Sequence, residues 1–228
     1  MSQKFLFLLI SVVLSSWVLA ACGGAAPVQS VQAANNGGSQ ATVAANGPDT
    51  DGDSIPDSAE ATLGTDPNNN DTDGDGQNDL TDPQPMLAEN PMKEASTTVG
   101  FTITSILVEN NVNPTGGDAP DHLELTLSNQ SGTDLTDFDV YYTIKDLKTN
   151  DMQAYYRPLP GFSLKSGESK ALHFDNTGQP DHFSVNPNSM FYTDPNQLQV
   201  EATLHAKGFA PQTASVKKDA SDAETGTD

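Results

Sequence analysis

A mainly β protein is predicted: a small metal-stabilised loop region followed by an antiparallel two-sheet sandwich. Three observations carry this. Between Val99 and Leu204, apolar residues recur with a period of two, broken by clusters of turn-forming residues. Over the same span no convincing helical period develops. Ahead of it, residues 49–82 hold eleven carboxylates, no Lys or Arg, and almost nothing apolar.

The N-terminal residues are read as an export signal. Lys4 supplies a short positive region, and Phe5 to Leu19 is a nearly continuous apolar run that closes on Leu19-Ala20-Ala21-Cys22. The run is too short to span a membrane comfortably, and small residues before a cut site mark a secretory signal. The Leu-Ala-Ala-Cys ending resembles the lipobox of bacterial lipoproteins. That resemblance implies a signal peptide over 1–21, a lipid on Cys22, and a place in the cell envelope, held to the membrane on its extracytoplasmic face. Cys22 is the only cysteine of the chain, so no internal disulfide is expected. The formal net charge of −21 argues against nucleic acid or an anionic membrane surface as partners and favours cations. Residues 22–47, rich in Ala, Gly, Asn, Gln and Ser, are read as a flexible tether, with a reach of roughly 5–6 Å × √n.

The acidic stretch is an internal repeat. Asp49-Thr-Asp-Gly-Asp-Ser-Ile-Pro-Asp-Ser-Ala-Glu aligns with Asp71-Thr-Asp-Gly-Asp-Gly-Gln-Asn-Asp-Leu-Thr-Asp at an offset of 22 residues. Carboxylates stand at positions 1, 3, 5, 9 and 12 of each loop. Ca²⁺ takes six to eight oxygens, and a curled loop turns alternate residues toward one centre, with a backbone carbonyl at position 7. The expected ligands are Asp49, Asp51, Asp53, the Ile55 carbonyl, Asp57 and Glu60 in the first loop. In the second they are Asp71, Asp73, Asp75, the Gln77 carbonyl, Asp79 and Asp82. About two Ca²⁺ ions are expected, lowering the local charge from −11 to −7. Position 6 is Gly76 in the second loop but Ser54 in the first, which predicts strain if Ser54 must take a positive φ.

EF-hands are excluded by the flanks. Ala45-Asn46-Gly47-Pro48 cannot form an entering helix, and Pro83-Gln84-Pro85 forbids an exiting one. Dockerin loops, with a longer helix after each, also match poorly. Between the loops, Ser58 to Leu63 allows a turn or two of helix stopped by Gly64. Residues 48–85 resemble thrombospondin type 3 repeats in their cysteine-free bacterial form. The match is carried by Asp49 to Glu60, the turn Gly64-Thr65-Asp66-Pro67, and Asp71 to Asp79. The resemblance implies a backbone wrapped around a row of Ca²⁺ with little hydrophobic core. Only Ile55, Leu63 and Leu80 are available to bury here, too few to offset an ordering cost of about 1–2 kcal/mol per residue. Metal is therefore expected to supply the folding free energy, with affinities on the order of 10⁻⁴–10⁻³ M.

Residues 98–214 are read as the sandwich. Strands are expected at Phe101 to Ser105, Leu123 to Leu127, Phe138 to Ile144, Leu172 to Phe174 and Leu198 to Leu204. Tyr155-Tyr156 and Met190-Phe191-Tyr192 offer further short strands, giving seven or so. Asn113 to Gly117, Gln130 to Thr133 and Lys165 to Glu168 are turn chemistry. This spacing predicts an antiparallel sandwich of immunoglobulin-like type, without the cysteine and tryptophan hallmarks of antibody domains. Residues 215–228 are read as a disordered acidic tail.

No catalytic constellation is legible, and no enzyme activity is expected. His122, His173, His182 and His205 are scattered with no metal-ligand spacing, so no transition-metal site is expected. Asp118, Asp121 and His122 share one loop and are read as solvent-facing. The predicted role is structural, adhesive or partner-binding, with calcium-stiffened repeats as a stalk that presents the sandwich to a protein or glycan partner. The alternative is a carbohydrate-binding or enzyme-accessory module using a platform built on Tyr141 and Tyr155 or Tyr156. An envelope calcium buffer is disfavoured by two imperfect loops.

Overall fold

The computed structural model describes residues 47–113 and 115–221; the expected signal, Cys22 and nearly all of the tether lie outside the described residues. Eight strands build two facing sheets, so the chain is mainly β as predicted. One sheet is ordered β1 (Phe101–Leu107), β2 (Leu123–Asn129), β5 (Ser169–Phe174), β6 (His182–Phe183). The other is ordered β4 (Met152–Pro158), β3 (Phe138–Asp146), β7 (Leu198–Ala206), β8 (Gln212–Lys218). All pairings are antiparallel except β5 with β6. The chain changes sheet after β2, after β4 and after β6, the crossing connectivity of an immunoglobulin-like sandwich.

Alternation does what a half-buried strand requires. Leu123, Leu125 and Leu127 of β2 are buried, as are Phe138, Val140, Tyr142 and Ile144 of β3 and Leu198, Val200, Ala202 and Leu204 of β7. Their inward faces meet in one core with Phe101, Leu172, Phe174 and Tyr155. Aromatic rings pack within it: Phe101 meets Phe138 edge-on at 5.4 Å, and Tyr142 stacks on Tyr155 at 5.1 Å. The expected turns form, and Gly116, Gly132 and Gly167 take positive φ in them.

Two expectations about the sandwich are corrected. Met190-Phe191-Tyr192 is not a strand but the short helix α2 (Met190–Thr193), which buries Phe191 and leaves Tyr192 exposed. Three apolar residues are too few for periodicity to separate strand from helix. The sandwich does not end at 214: β8 runs to Lys218, so Ser215 to Lys218 belong to a strand rather than a tail. As an edge strand with no fully buried residue, β8 carries little apolar signal. The two-residue β6 was likewise not foreseen.

The acidic repeats do not stand clear of the sandwich as a stalk. They lie along the outer edge of β4. Tyr156 N–H donates to the Asp73 carbonyl at 2.7 Å. The chain leaving the repeats joins the same edge, with Ala154 N–H donating to the Met86 carbonyl (2.9 Å) and Ala88 N–H to the Ala154 carbonyl (3.0 Å). Arg157, the only arginine of the chain, donates to the Thr72 carbonyl. From another loop, Asn186 and Asn188 donate side-chain N–H groups to the carbonyls of Gly64 (2.6 Å) and Thr65 (2.7 Å). The physical reason is the edge itself: an uncovered β4 would present unpaired backbone groups, and residues 72–88 cover them.

Candidate metal centre

Each acidic loop closes on itself through its first aspartate. Asp49 accepts from the amides of Gly52 (2.8 Å) and Ser54 (3.2 Å). Asp71 accepts from Gly74 and Gly76, both at 2.9 Å. In the same way Asp53 accepts from Ile55 N–H (2.6 Å), and Asp75 from Gln77 N–H (2.8 Å). These turns require left-handed backbone at Gly52, Gly74 and Gly76, and at Ser54, whose φ of 80° confirms the strain expected from its position. Ser54→Gly should relieve it and, on the calcium reading proposed below, tighten Ca²⁺ binding at the first loop by up to about 1 kcal/mol, roughly fivefold, in a calorimetric titration. An unchanged affinity would mean that the loop absorbs the strain elsewhere.

The short helix α1 (Asp57–Leu63) fills the space between the loops and ends, as expected, at Gly64 in the left-handed region with φ 87°. It places Glu60 at the bottom of the acidic region, wholly buried beside buried Asp53 and Asp79. Three groups of carboxylates converge: Asp49 with Asp51 and Asp53, Asp53 with Glu60 and Asp79, and Asp71 with Asp73 and Asp75.

Two expected ligands are placed differently. Asp57 uses both oxygens on Thr50, accepting from its N–H and its hydroxyl at 2.8 Å each. That pairing pins the loop shut, and Asp57 lies outside all three groups. Asp82 is also outside them and accepts from Gln84 N–H at 2.7 Å. Asp79 makes the Asp57-type pairing with Thr72 (2.8 and 2.7 Å), yet still faces Glu60. The sequence alignment pairs each carboxylate with its counterpart one repeat on. It therefore holds no hint that Glu60 of the first loop meets Asp79 of the second.

The electrostatics of this region are unbalanced. Both Glu60 oxygens, one oxygen each of Asp51 and Asp53, and the Thr65 hydroxyl are buried without a hydrogen-bond partner. Burial, reinforced by repulsion from Asp51 and Asp53 and opposed by the nearby Thr65 hydroxyl, pushes the Glu60 carboxyl up to about 8. Burial likewise raises Asp73 to about 7 and Asp79 to about 6, against amide and hydroxyl donors that pull the other way. Asp53 is raised as well, again chiefly by burial. Native proteins seldom bury carboxylate oxygens unpaired, because each costs several kcal/mol. A multivalent cation with oxygen preference fits these residues, since it would coordinate the oxygens that no protein donor reaches.

The tyrosines of the alternative reading are engaged within the fold. Tyr155 is fully buried, Tyr156 donates its hydroxyl to Asp139 (2.9 Å), and Tyr141 donates to the Ala88 carbonyl (3.3 Å) beneath the chain leaving the repeats.

The histidines, scattered in sequence, are gathered by the fold. His122 is buried rather than solvent-facing, and His122, His173 and His182 lie in one row with Glu124 and Asp175 on the outer face of the β2–β5–β6 sheet. Register does this: Glu124 pairs with His173 across β2 and β5, and His173 pairs with His182 across β5 and β6. The His173 ring is lowered in pKa mainly by burial, with Glu124 opposing. His205 lies apart, between Asp139 (3.0 Å) and Glu94 (3.4 Å). Among the described residues no helix is long and apolar enough to cross a membrane.

No family model and no curated protein matches the chain. Solved structures with a local likeness include a GH2 β-galacturonidase from Eisenbergiella tayi (16% identity, TM-score 0.30), covering 54% of this chain and 18% of that one. A Bacteroides uniformis β-glucuronidase 2 (14%, 0.27) covers 57% and 14%. The sporulation control protein Spo0M from Bacillus subtilis (13%, 0.26) covers 52% and 48%. This chain thus spans less than a fifth of the two glycosidases and about half of Spo0M. Likeness at these TM-scores bears on neither family nor activity.

Proposed function

We propose that this chain is a calcium-binding, lipid-anchored extracytoplasmic protein with a structural, adhesive or partner-binding role. Calcium in this reading locks the acidic repeats onto the sandwich. The observation that carries it is Glu60, fully buried beside Asp53 and Asp79 with neither oxygen hydrogen-bonded. Ca²⁺ is favoured over transition metals because every available ligand atom in the three groups is oxygen. Asp49, Asp51, Asp53, Glu60, Asp71, Asp73, Asp75 and Asp79 would hold the ions. Cys22 would tie the protein to the membrane, placing this calcium-held edge outside the cell, where millimolar Ca²⁺ suits weak sites. A glycan-binding role has no comparable support, because the tyrosines it would need are buried or already bonded.

Calorimetry of the tagless mature protein with Ca²⁺ and Mg²⁺ tests the proposal. Ca²⁺ should bind at about two sites, with Mg²⁺ weaker because it demands a tighter octahedron and dehydrates reluctantly. Glu60→Gln should remove one ion from the stoichiometry, whereas Asp57→Asn should leave the number of ions unchanged. Loss of an ion in Asp57→Asn would return Asp57 to the ligand set read from the repeat spacing, and no loss in Glu60→Gln would defeat the assignment argued from burial.

A further inference from the structure

The geometry points to a second, chemically different metal site: a divalent transition cation of the zinc class held by His122, Glu124 and His173. It lies on the sheet opposite the one that carries the acidic repeats, and its donor set is two imidazoles and one carboxylate rather than oxygen alone. The inference does not depend on the calcium reading.

The three residues arrive on one face for a backbone reason. Leu123 and Leu125 point into the core, so Glu124 of β2 faces outward, and His122, just ahead of the strand, lies on the same side two residues away. His173 lies between the inward Leu172 and Phe174 on β5 and stands directly opposite Glu124. His122 Nε2 is 3.0 Å from His173 Nδ1, and Glu124 Oε2 is 3.5 Å from the same nitrogen. With metal–ligand bonds of about 2.0–2.1 Å, two ligands at the tetrahedral angle stand about 3.3–3.4 Å apart. The observed separations bracket that value, and the three ligand atoms all lie within 4.8 Å of one another.

Hydrogen bonding leaves the lone pairs that a cation would need. His122 Nδ1 lies 2.7 Å from the Pro120 carbonyl, which can only accept. In the neutral ring the proton is therefore on Nδ1, and Nε2 presents its lone pair toward His173 and Glu124. His173 Nδ1 then faces two acceptors and has at most one proton to give. A metal at their centre satisfies all three atoms together. The surroundings supply the outer partners such a site needs. The Pro120 carbonyl holds His122 Nδ1, Asn111 Oδ1 accepts from the His122 backbone N–H at 3.1 Å, and Asn111 Nδ2, 3.5 Å from His122 Nε2, would yield that lone pair to the metal. The His182 ring stacks on His173 at 4.4 Å and is itself held by Asp175 at 2.8 Å.

The site also has room for a ligand. His122, Glu124 and His173 line a cleft of about 1030 Å³ that Asp121, Gln179 and exposed Tyr192 help to wall. Three protein ligands on a cleft wall leave the fourth position to water or to a donor atom of a small molecule, the arrangement of an open rather than a closed structural site.

The test uses the tagless mature chain, stripped of metal and then held in millimolar Ca²⁺ so that oxygen sites are occupied. Zn²⁺ affinity is read by competition with a chromogenic chelator, and geometry by the visible spectrum of the Co²⁺-loaded protein. We expect one Zn²⁺ per chain and an intense, four-coordinate Co²⁺ spectrum. His173→Ala should weaken Zn²⁺ binding by at least about 100-fold, Glu124→Gln by about 10–100-fold, and His205→Ala not at all. Glu124→Gln keeps size and polarity, so it decides the matter if His173→Ala fails to fold. Zn²⁺ affinity equal in wild type and Glu124→Gln, or a weak octahedral Co²⁺ spectrum in wild type, would overturn the site.

Discussion

Chelating Ca²⁺ is expected to loosen residues 48–88 from the β4 edge while the sandwich stays folded. The amides that report this are already identified. Tyr156 N–H is bonded to the Asp73 carbonyl and Ala154 N–H to the Met86 carbonyl, so their hydrogen exchange measures docking directly. For affinities on the order of 10⁻⁴–10⁻³ M, 10 mM Ca²⁺ stabilises by about 1.4–2.7 kcal/mol per ion, or about 10–100-fold in exchange rate. Core amides of β3 and β7 should barely respond. Equal exchange at Tyr156 and Ala154 in Ca²⁺ and in chelator would end the idea that metal holds this edge.

The pH dependence should reverse with metal. Without Ca²⁺, Glu60, Asp73 and Asp79 have folded-state pKa values of about 8, 7 and 6, raised first of all by burial. Between their ordinary values near 4 and these raised ones, the folded chain binds more protons than the unfolded chain. Metal-free stability must then fall as pH rises from about 4 through 8. Ca²⁺ pairs with the ionised forms, so its stabilising effect should be largest at pH 8 and smallest near pH 5, and binding at pH 7 should release protons. Calorimetry in buffers of different ionisation enthalpy detects that release; none would mean that these carboxyls are not ligands.

Gly74→Ala should be among the most damaging single substitutions in the repeats. Gly74 has φ 83°, where a Cβ costs roughly 1–2 kcal/mol. That Cβ would also stand 2.0 Å from the Tyr156 carbonyl oxygen and 2.7 Å from Arg157 Nη1, so the loop must back away from β4. Gly76 provides the control: its φ is 96°, but nothing lies within 4 Å of its Cβ position. Gly76→Ala should show the conformational cost alone. Gly74→Ala should lose about 3 kcal/mol or more of docking stability and expose the Tyr156 amide even in Ca²⁺. Indistinguishable variants would mean that the close approach at Gly74 carries no weight.

The sandwich was legible because burial on one face imprints a period of two on β2, β3 and β7. The loops were legible because a carboxylate spacing repeated at 22 residues, with Ser54 marked as the strained position. The edge elements were not. β8 buries none of its residues fully, and three apolar residues at Met190 could not declare a helix. Spacing does not reveal that Thr50 donates to both oxygens of Asp57, or that Asp57 lies outside the converging groups.

By itself, then, the sequence determined the fold class and the two acidic loops with their repeated carboxylate spacing, all of which depend on residues near one another in the chain. Tertiary structure alone decided that the loops lie against β4, that Glu60 meets Asp79, and that Glu124 and His173 stand side by side from positions 49 residues apart. Periodicity records which face of a strand is buried. It does not record which strand lies next to it, and both the docked edge and the histidine cluster are products of that second choice.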